Sequence, residues 1–321
     1  MSDSSRTSAL TWPYPQHRHF EETLRDAASA WFEAKGFPVS AKHSYILANW
    51  NDWPNNIILT EVAEYIQSER ARRKAEGKGF PLHRYVHHGL SSQAMLFNLI
   101  GPLLVGKGLE PVRESFAGQG VAWPKGEVSA SFEYEDRTLF NEDTGQPTSI
   151  DLVLTDEMGH PRVFVEGKLV EREFGGCSVF ARGDCDGRNP THDFSLCYLH
   201  HIGRRYWELL DKHNFLSGPI GQNATCILST YYQFFREVIF ALELGGPFVL
   251  LTDDRSPTFS CDGPQGTRGL LPLLISLVPA SLHGHIGSVS IQQVVAAIKS
   301  SGRHEWITEF ERKYALHGDT P

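Results

Sequence analysis

No apolar run in the 321-residue chain approaches the roughly 20 residues needed to cross a bilayer, which leaves no candidate for a membrane-spanning helix. The polar start, MSDSSRTS, has no apolar core of a secretory signal. The expectation is therefore a cytoplasmic protein with no membrane partner. Cysteine is scarce and odd in number, five in all, and no two stand in a CxxC pair. That usage fits reduced thiols or a metal site better than a disulfide framework. Positive charge is not in excess either: 30 Lys and Arg face 38 Asp and Glu, a formal net charge of −8. The bulk field does not draw nucleic acid. Any DNA contact must rest on a local basic surface, or on a bound metal that neutralises acids. Internal repeats and low-complexity blocks are absent as well. What the chain does have is an apolar fraction of 40% with seven tryptophans, enough for an ordinary core, and a charged fraction of 21%, too low for wholesale disorder. The length allows one large domain or two small ones.

Taken in order, residues 1 to about 19 read as a polar, proline-rich tail. Apolar positions Phe20, Leu24, Ala27, Trp31 and Ala34 share one helical face, and Gly36 and Pro38 stop that helix. A second helix is expected over Ile57–Lys74, ending in the basic run RARRKAEGKG. That run reads either as a solvated helix end, with cations at the negative pole of the dipole, or as a phosphate-contacting patch. Ser91 or Ser92 caps a largely buried helix that Gly101-Pro102 ends or kinks. VSASFEY alternates, which predicts Val128, Ala130, Phe132 and Tyr134 toward the core and Glu133 on the other side. Later segments read as a helix from about Leu196 to Lys212, a short strand over Ala224–Ser229 and an amphipathic helix in TYYQFFREVIFALELG. The buried strand PFVLLTDD follows, LLPLLISLV is helix or strand, and closing helices span Ser288–Lys299 and Trp306–Tyr314. The sum is a mixed α/β chain with helices around a central sheet.

The stretch that organises the chain is SIDLVLTDEMGHPRVFVEGKLVEREF, Ser149 to Phe174. Two β-rich runs, Ile150–Thr155 and Val163–Val165, flank Asp156-Glu157-Met158-Gly159-His160, whose turn chemistry predicts a hairpin. Asp151 stands near the start of the first strand. Glu166 and Lys168 at the end of the second point the same way, because side chains alternate along a strand. Two carboxylates and an ammonium brought together there can hold a divalent cation and a water, as metal-assisted phosphodiester hydrolysis requires. The bland alternative is an exposed Glu–Lys pair worth under ~1 kcal/mol.

Asp151 followed by Glu166-Gly167-Lys168 resembles the bipartite D…(D/E)-X-K signature of the PD-(D/E)XK nuclease superfamily. The blocks SSQAMLFNLIGPL, FVEGKLVEREFG, YYQFFREVIFA and FVLLTDDRSP are similar to landmarks of a bacterial family of restriction endonucleases within it. The likeness spans roughly Tyr85 to Phe259. The proline that often stands beside the aspartate is absent here. The resemblance implies a restriction-endonuclease-like α/β core, a mixed central sheet flanked by helices, with an N-terminal helical extension. Residues 1–84 would be tail and extension packed on the core. Residues 85–321 would be the nuclease core, carrying a Cys/Gly-rich insertion at about 175–197. It further implies hydrolysis of DNA by a restriction or defence endonuclease. Asp151 and Glu166 would bind Mg²⁺, which Mn²⁺ can replace, and the Gly167 carbonyl would add a ligand. Lys168 would orient or activate the attacking water. Superfamily members often place an acid on the first core helix, where this chain has Gln93; Glu133 or Glu171 would then supply any third carboxylate. A homodimer is expected from the need to cut two strands.

Gln233 and Arg236, one turn apart, read either as phosphate or site contacts or as a helix surface packed on the sheet. Cys177, Cys185, His192 and Cys197 lie in or beside the insertion and are a weak zinc set, with incidental thiols the simpler reading. Two other functions compete: a catalytically silent nucleic-acid-binding module of the same fold, and a zinc-stabilised interaction domain. A complete Asp151, Glu166 and Lys168 set argues against the first, and metal content tests the second.

Overall fold

The central strand FVLLT, Phe248–Thr252, is buried at every position, as its continuous apolar run requires of a strand covered on both faces. It lies inside a five-stranded sheet in the computed structural model, which describes residues 14–264, 266–302 and 305–316. Residues 1–13 of the expected tail lie outside the described residues. The strands are β1 (Ser129–Glu135), β2 (Ser149–Thr155), β3 (Pro161–Lys168), β4 (Phe248–Thr252), β5 (Cys261–Gly263), β6 (Gly266–Arg268) and β7 (Ile286–Ser290). The main sheet runs β1-β2-β3-β4-β7, and β5 and β6 form a separate hairpin. β1, β2 and β3 are antiparallel, whereas β3, β4 and β7 run parallel, so the sheet is mixed.

The N-terminal and middle helices are α1 (His17–Lys35), α2 (Thr60–Ala75), α3 (Ser92–Val105), α4 (Glu110–Ala117), α5 (Ser178–Ala181), α6 (Tyr198–His201), α7 (Tyr206–Lys212) and α8 (Pro219–Gln222). They are followed by α9 (Leu228–Glu243), α10 (Leu270–Ser276), α11 (Ile291–Ser300) and α12 (Trp306–Lys313). One sheet face buries an apolar cluster drawn from α1, α2, α3, α4, α11 and α12; the other buries a cluster from α7, α9 and α10. The expected sandwich of helices about a mixed sheet is thus present, and its N-terminal helices share the core of the whole. Helix α3 is buried from Gln93 through Leu103, as a helix apolar on all sides must be. Ser91 caps it by accepting from the Ala94 amide at 3.3 Å. Gly101 lets α2 cross closely, since a Cβ there would meet Val62 Cγ1 at 2.5 Å.

Several local expectations are corrected. Pro102 lies inside α3, which continues to Val105 instead of ending. The helix expected over 196–212 is divided into short turns at Ile202-Gly203, where Gly203 takes φ +86°. Ala224–Ser229 is no strand; it leads into α9. Ser288 belongs to edge strand β7, and its helix starts only at Ile291. The alternation in VSASFEY breaks as well. Phe132 packs on one sheet face and Tyr134 on the other, because Glu133 between them adopts φ +53°. Two chain segments meet at that bend, and it shapes the site.

Candidate active site

The hairpin forms as its turn residues dictate. Asp156 Oδ1 accepts from the Met158 and His160 amides, at 3.0 and 2.9 Å, and Gly159 turns at φ +79°. Leu152 then pairs with Val165 and Val153 with Phe164; one residue further in this register Asp151 stands across from Glu166. On the other side, pairs Phe132–Leu152 and Tyr134–Ile150 bracket Glu133 opposite Asp151. Three neighbouring strands so contribute one carboxylate each at the same level.

A left-handed glutamate in mid-strand is costly unless its surroundings fix it. Arg73 on α2 does so. Its buried guanidinium donates to the Glu133 carbonyl at 2.6 Å, the Phe132 carbonyl at 2.7 Å and Ser131 Oγ at 2.6 Å. The basic run is therefore neither of the expected things at this position: Arg73 is a brace, while Arg72 is exposed and pairs with Glu69 and Glu76. Arg204 is likewise buried, holding Asp143 and Thr144.

A cleft of about 560 Å³ is lined by Gln93, Glu133, Asp151, Glu166, Lys168, Glu171, Gln233 and Arg236, so the eight side chains that the sequence offered for the nuclease site converge. Lys168 Nζ meets Glu166 Oε1 at 2.7 Å and donates to Gln233 Oε1 at 3.0 Å. The Gln233 amide donates to Glu166 Oε1 at 2.7 Å and to Glu237 Oε1 at 2.9 Å. Of the two readings for Gln233, contact with the charged set is the one observed. Arg236 lies over the Tyr232 ring at 4.7 Å, and its buried Nε has no partner among the described residues. Gln93 donates to Glu133 Oε1 at 2.6 Å and Ser149 to Oε2 at 2.8 Å. Glu171 turns back to accept from the Leu169 amide at 2.6 Å. The Gly167 amide donates to Asp151 Oδ2 at 2.9 Å. Because a strand residue's N–H and C=O leave on the same side, the Gly167 carbonyl also projects toward Asp151. Glu237, fully buried at the floor of this network, was missed in the sequence; its spacing of four from Gln233 was the available signal.

The electrostatics are those of a site short of positive charge. Burial, then the charges of Glu166 and Glu133, hold the Asp151 carboxyl well above the usual range, against the pull of Lys168 and the Gly167 amide. Glu133 rises to about 7, again mainly through burial. Glu237 rises through burial and the charge of Glu166. Burial works against the Lys168 ammonium, but Glu166, Glu171, Glu237 and Asp151 outweigh it and hold its proton more tightly than in free lysine. Glu166 Oε2 is buried with no hydrogen-bond partner among the described residues. An orphaned carboxylate oxygen amid acids that resist ionisation fits a cation. Among the described residues no three His, Cys, Asp or Glu side chains already stand at metal-ligand spacing.

The weak zinc set is rearranged. Cys177, Cys185 and Cys197 line one small cavity, His192 does not, and Cys226 takes the fourth place. Among the described residues no helix is long and apolar enough to cross a membrane.

In comparison with known proteins, the model of a family described as restriction endonuclease associating with ARP matches residues 25–315. No curated protein and no solved structure matches the chain.

Proposed function

This chain belongs to the family of restriction endonucleases associating with ARP, and from that premise we propose that it is a metal-dependent nuclease hydrolysing DNA phosphodiester bonds, a restriction or defence endonuclease. The observation that carries the reading is the buried Glu166 Oε2, without a hydrogen-bond partner among the described residues, beside Asp151, a carboxyl whose ionisation burial and the neighbouring acids oppose. Asp151 and Glu166 would hold Mg²⁺, or Mn²⁺ in its place, with the Gly167 carbonyl as a further ligand. The chemistry such an ion would supply is polarisation of the scissile phosphate and activation of water.

The remaining work falls to the chain's own groups. Lys168 keeps its proton, so it acts as a fixed cation. It orients the attacking water by donating to it and stabilises charge that develops on the phosphate oxygens. Gln233 holds Lys168 and Glu166 in mutual alignment through its two amide ends, a positioning role. Glu133, locked by Gln93 and Ser149, adds the third carboxylate and keeps the site's demand for a cation high. Glu171, engaged with the Leu169 amide, is not needed for that purpose. Arg236 lines the cleft and would meet the phosphate backbone of the DNA. Two chains acting together would cut both strands.

The test is incubation of plasmid, linear and single-stranded DNA, and RNA, with the protein and Mg²⁺ or Mn²⁺. Cleavage of DNA that needs the metal is expected, and Asp151→Ala, Glu166→Ala and Lys168→Ala should each abolish it. Cleavage retained in all three variants would remove the site assignment. Tight DNA binding without cleavage by the wild type would favour a silent binding module.

A further inference from the structure

Outside the cleft, four of the five cysteines come together. Cys177, Cys185, Cys197 and Cys226 line a single cavity of about 20 Å³, room for one small occupant. They arrive from four separate places: the residue before α5, the loop after it, the residue before α6 and the turn into α9. The backbone fixes these places relative to one another. The Cys177 amide donates to the Leu228 and Ser229 carbonyls, both at 3.2 Å, and the Cys226 amide to the Gly187 carbonyl at 2.8 Å. The Asn189 amide donates to the Ala224 carbonyl at 3.0 Å beside a bridge between Arg188 and Thr225. One of the sulfurs also receives a backbone amide: Gly187 N donates to Cys185 Sγ at 3.4 Å. A neutral thiol is a weak acceptor; an amide aimed at sulfur suits a thiolate.

We propose that Cys177, Cys185, Cys197 and Cys226 form a structural zinc site. Four soft ligands, no disulfide among them and no open polar face favour tetrahedral Zn²⁺. The segment they staple needs it. From residue 175 to 226 the chain is built of helices of four to seven residues and single turns, elements too short to be stable without tertiary anchors. In the structure the sulfurs surround the cavity without closing on a point; each swings on one side-chain torsion, and Zn–S bonds of ~2.3 Å would draw them inward. As the four S–Zn bonds form, the four thiol protons pass to solvent. Cys261 is not among the lining residues: it lies on β5, where its thiol faces the Asp262 carbonyl.

Elemental analysis of the full chain, purified from zinc-replete cells, tests this directly. One zinc per chain is expected. Cys177→Ser and Cys226→Ser should lose it, and Cys261→Ser should keep it. In the native protein only Cys261 should react with a thiol reagent until zinc is extracted. Where a serine variant fails to fold, cobalt substitution of the wild type decides: thiolate-to-cobalt charge transfer and tetrahedral d–d absorption are expected. Bound zinc absent with all five thiols reactive, a disulfide in the non-reduced mass spectrum, or iron in place of zinc would each overturn the proposal. None of these readouts depends on nuclease activity.

Discussion

Glu133→Gln separates stability from function at the cleft. The glutamate is 5% exposed and its carboxyl is raised from an ordinary value of 4.5 to about 7 by burial, in spite of donors from Gln93 and Ser149. An acid whose folded pKa is raised binds more protons in the native state than in the unfolded one. Stability therefore falls as pH climbs from about 4.5 through about 7 and stays low above that. The difference corresponds to about 3 kcal/mol of lost stability at pH 8. Glutamine has the same shape and no charge. One of its polar ends still meets Gln93, and the Ser149 hydroxyl can turn to accept from the other. Measured by urea denaturation in the presence of a chelator, the variant should match wild type near pH 4.5 and exceed it by about 3 kcal/mol at pH 8. Metal-dependent cleavage should meanwhile fall. Parallel stability curves for the two proteins from pH 4.5 to 8 would refute the argument that Glu133 is forced to ionise in a buried, acid-rich site. Added Mg²⁺ should narrow the gap at pH 8, because a ligand bound only by the native wild type stabilises it by mass action.

Two further substitutions probe the supports of the cleft. Arg73→Ala leaves the Glu133 and Phe132 carbonyls without their buried donor. It should cost roughly 3 kcal/mol or more in denaturant titration and weaken cleavage, although Arg73 is on a different element from every acid of the cleft. Gln233→Leu removes the link between Glu166, Lys168 and Glu237. It should lower kcat by roughly 10–100-fold, the usual scale for a partner that orients ligands, with KM for DNA little changed; a variant as fast as wild type would make Gln233 a packing residue.

Much of this cleft was legible because local chemistry fixed it. The Asp156–His160 turn sets the hairpin register, and strand alternation then aligns Glu166 with Lys168. The buried strand β4 announced itself by its continuous apolar run. What escaped was decided at a distance. Nothing in VSASFEY shows the bend at Glu133, which a guanidinium sixty residues earlier holds in place. Periodicity around Leu196 suggested one helix, and a single glycine at positive φ divided it. Ser288 read as helical because its strand is short and at the sheet edge, where little apolar pattern is required. Cysteine spacing along the chain does not join Cys226 to the other three, because it says nothing about loops that the fold brings together.

The linkage of Gln233 to Glu166 and Lys168 has a consequence for the order in which the cleft is assembled. Synthesis delivers α2, β1, β2 and β3 first, so the hairpin acids leave the ribosome early, along with the arginine that bends β1. Yet β3 lacks its parallel neighbour until residue 252 has emerged, and Lys168 lacks its amide partner until α9 has formed. A nascent chain therefore carries the acids without the alignment. That ordering follows from nothing more than where along the chain the last supporting residue is encoded.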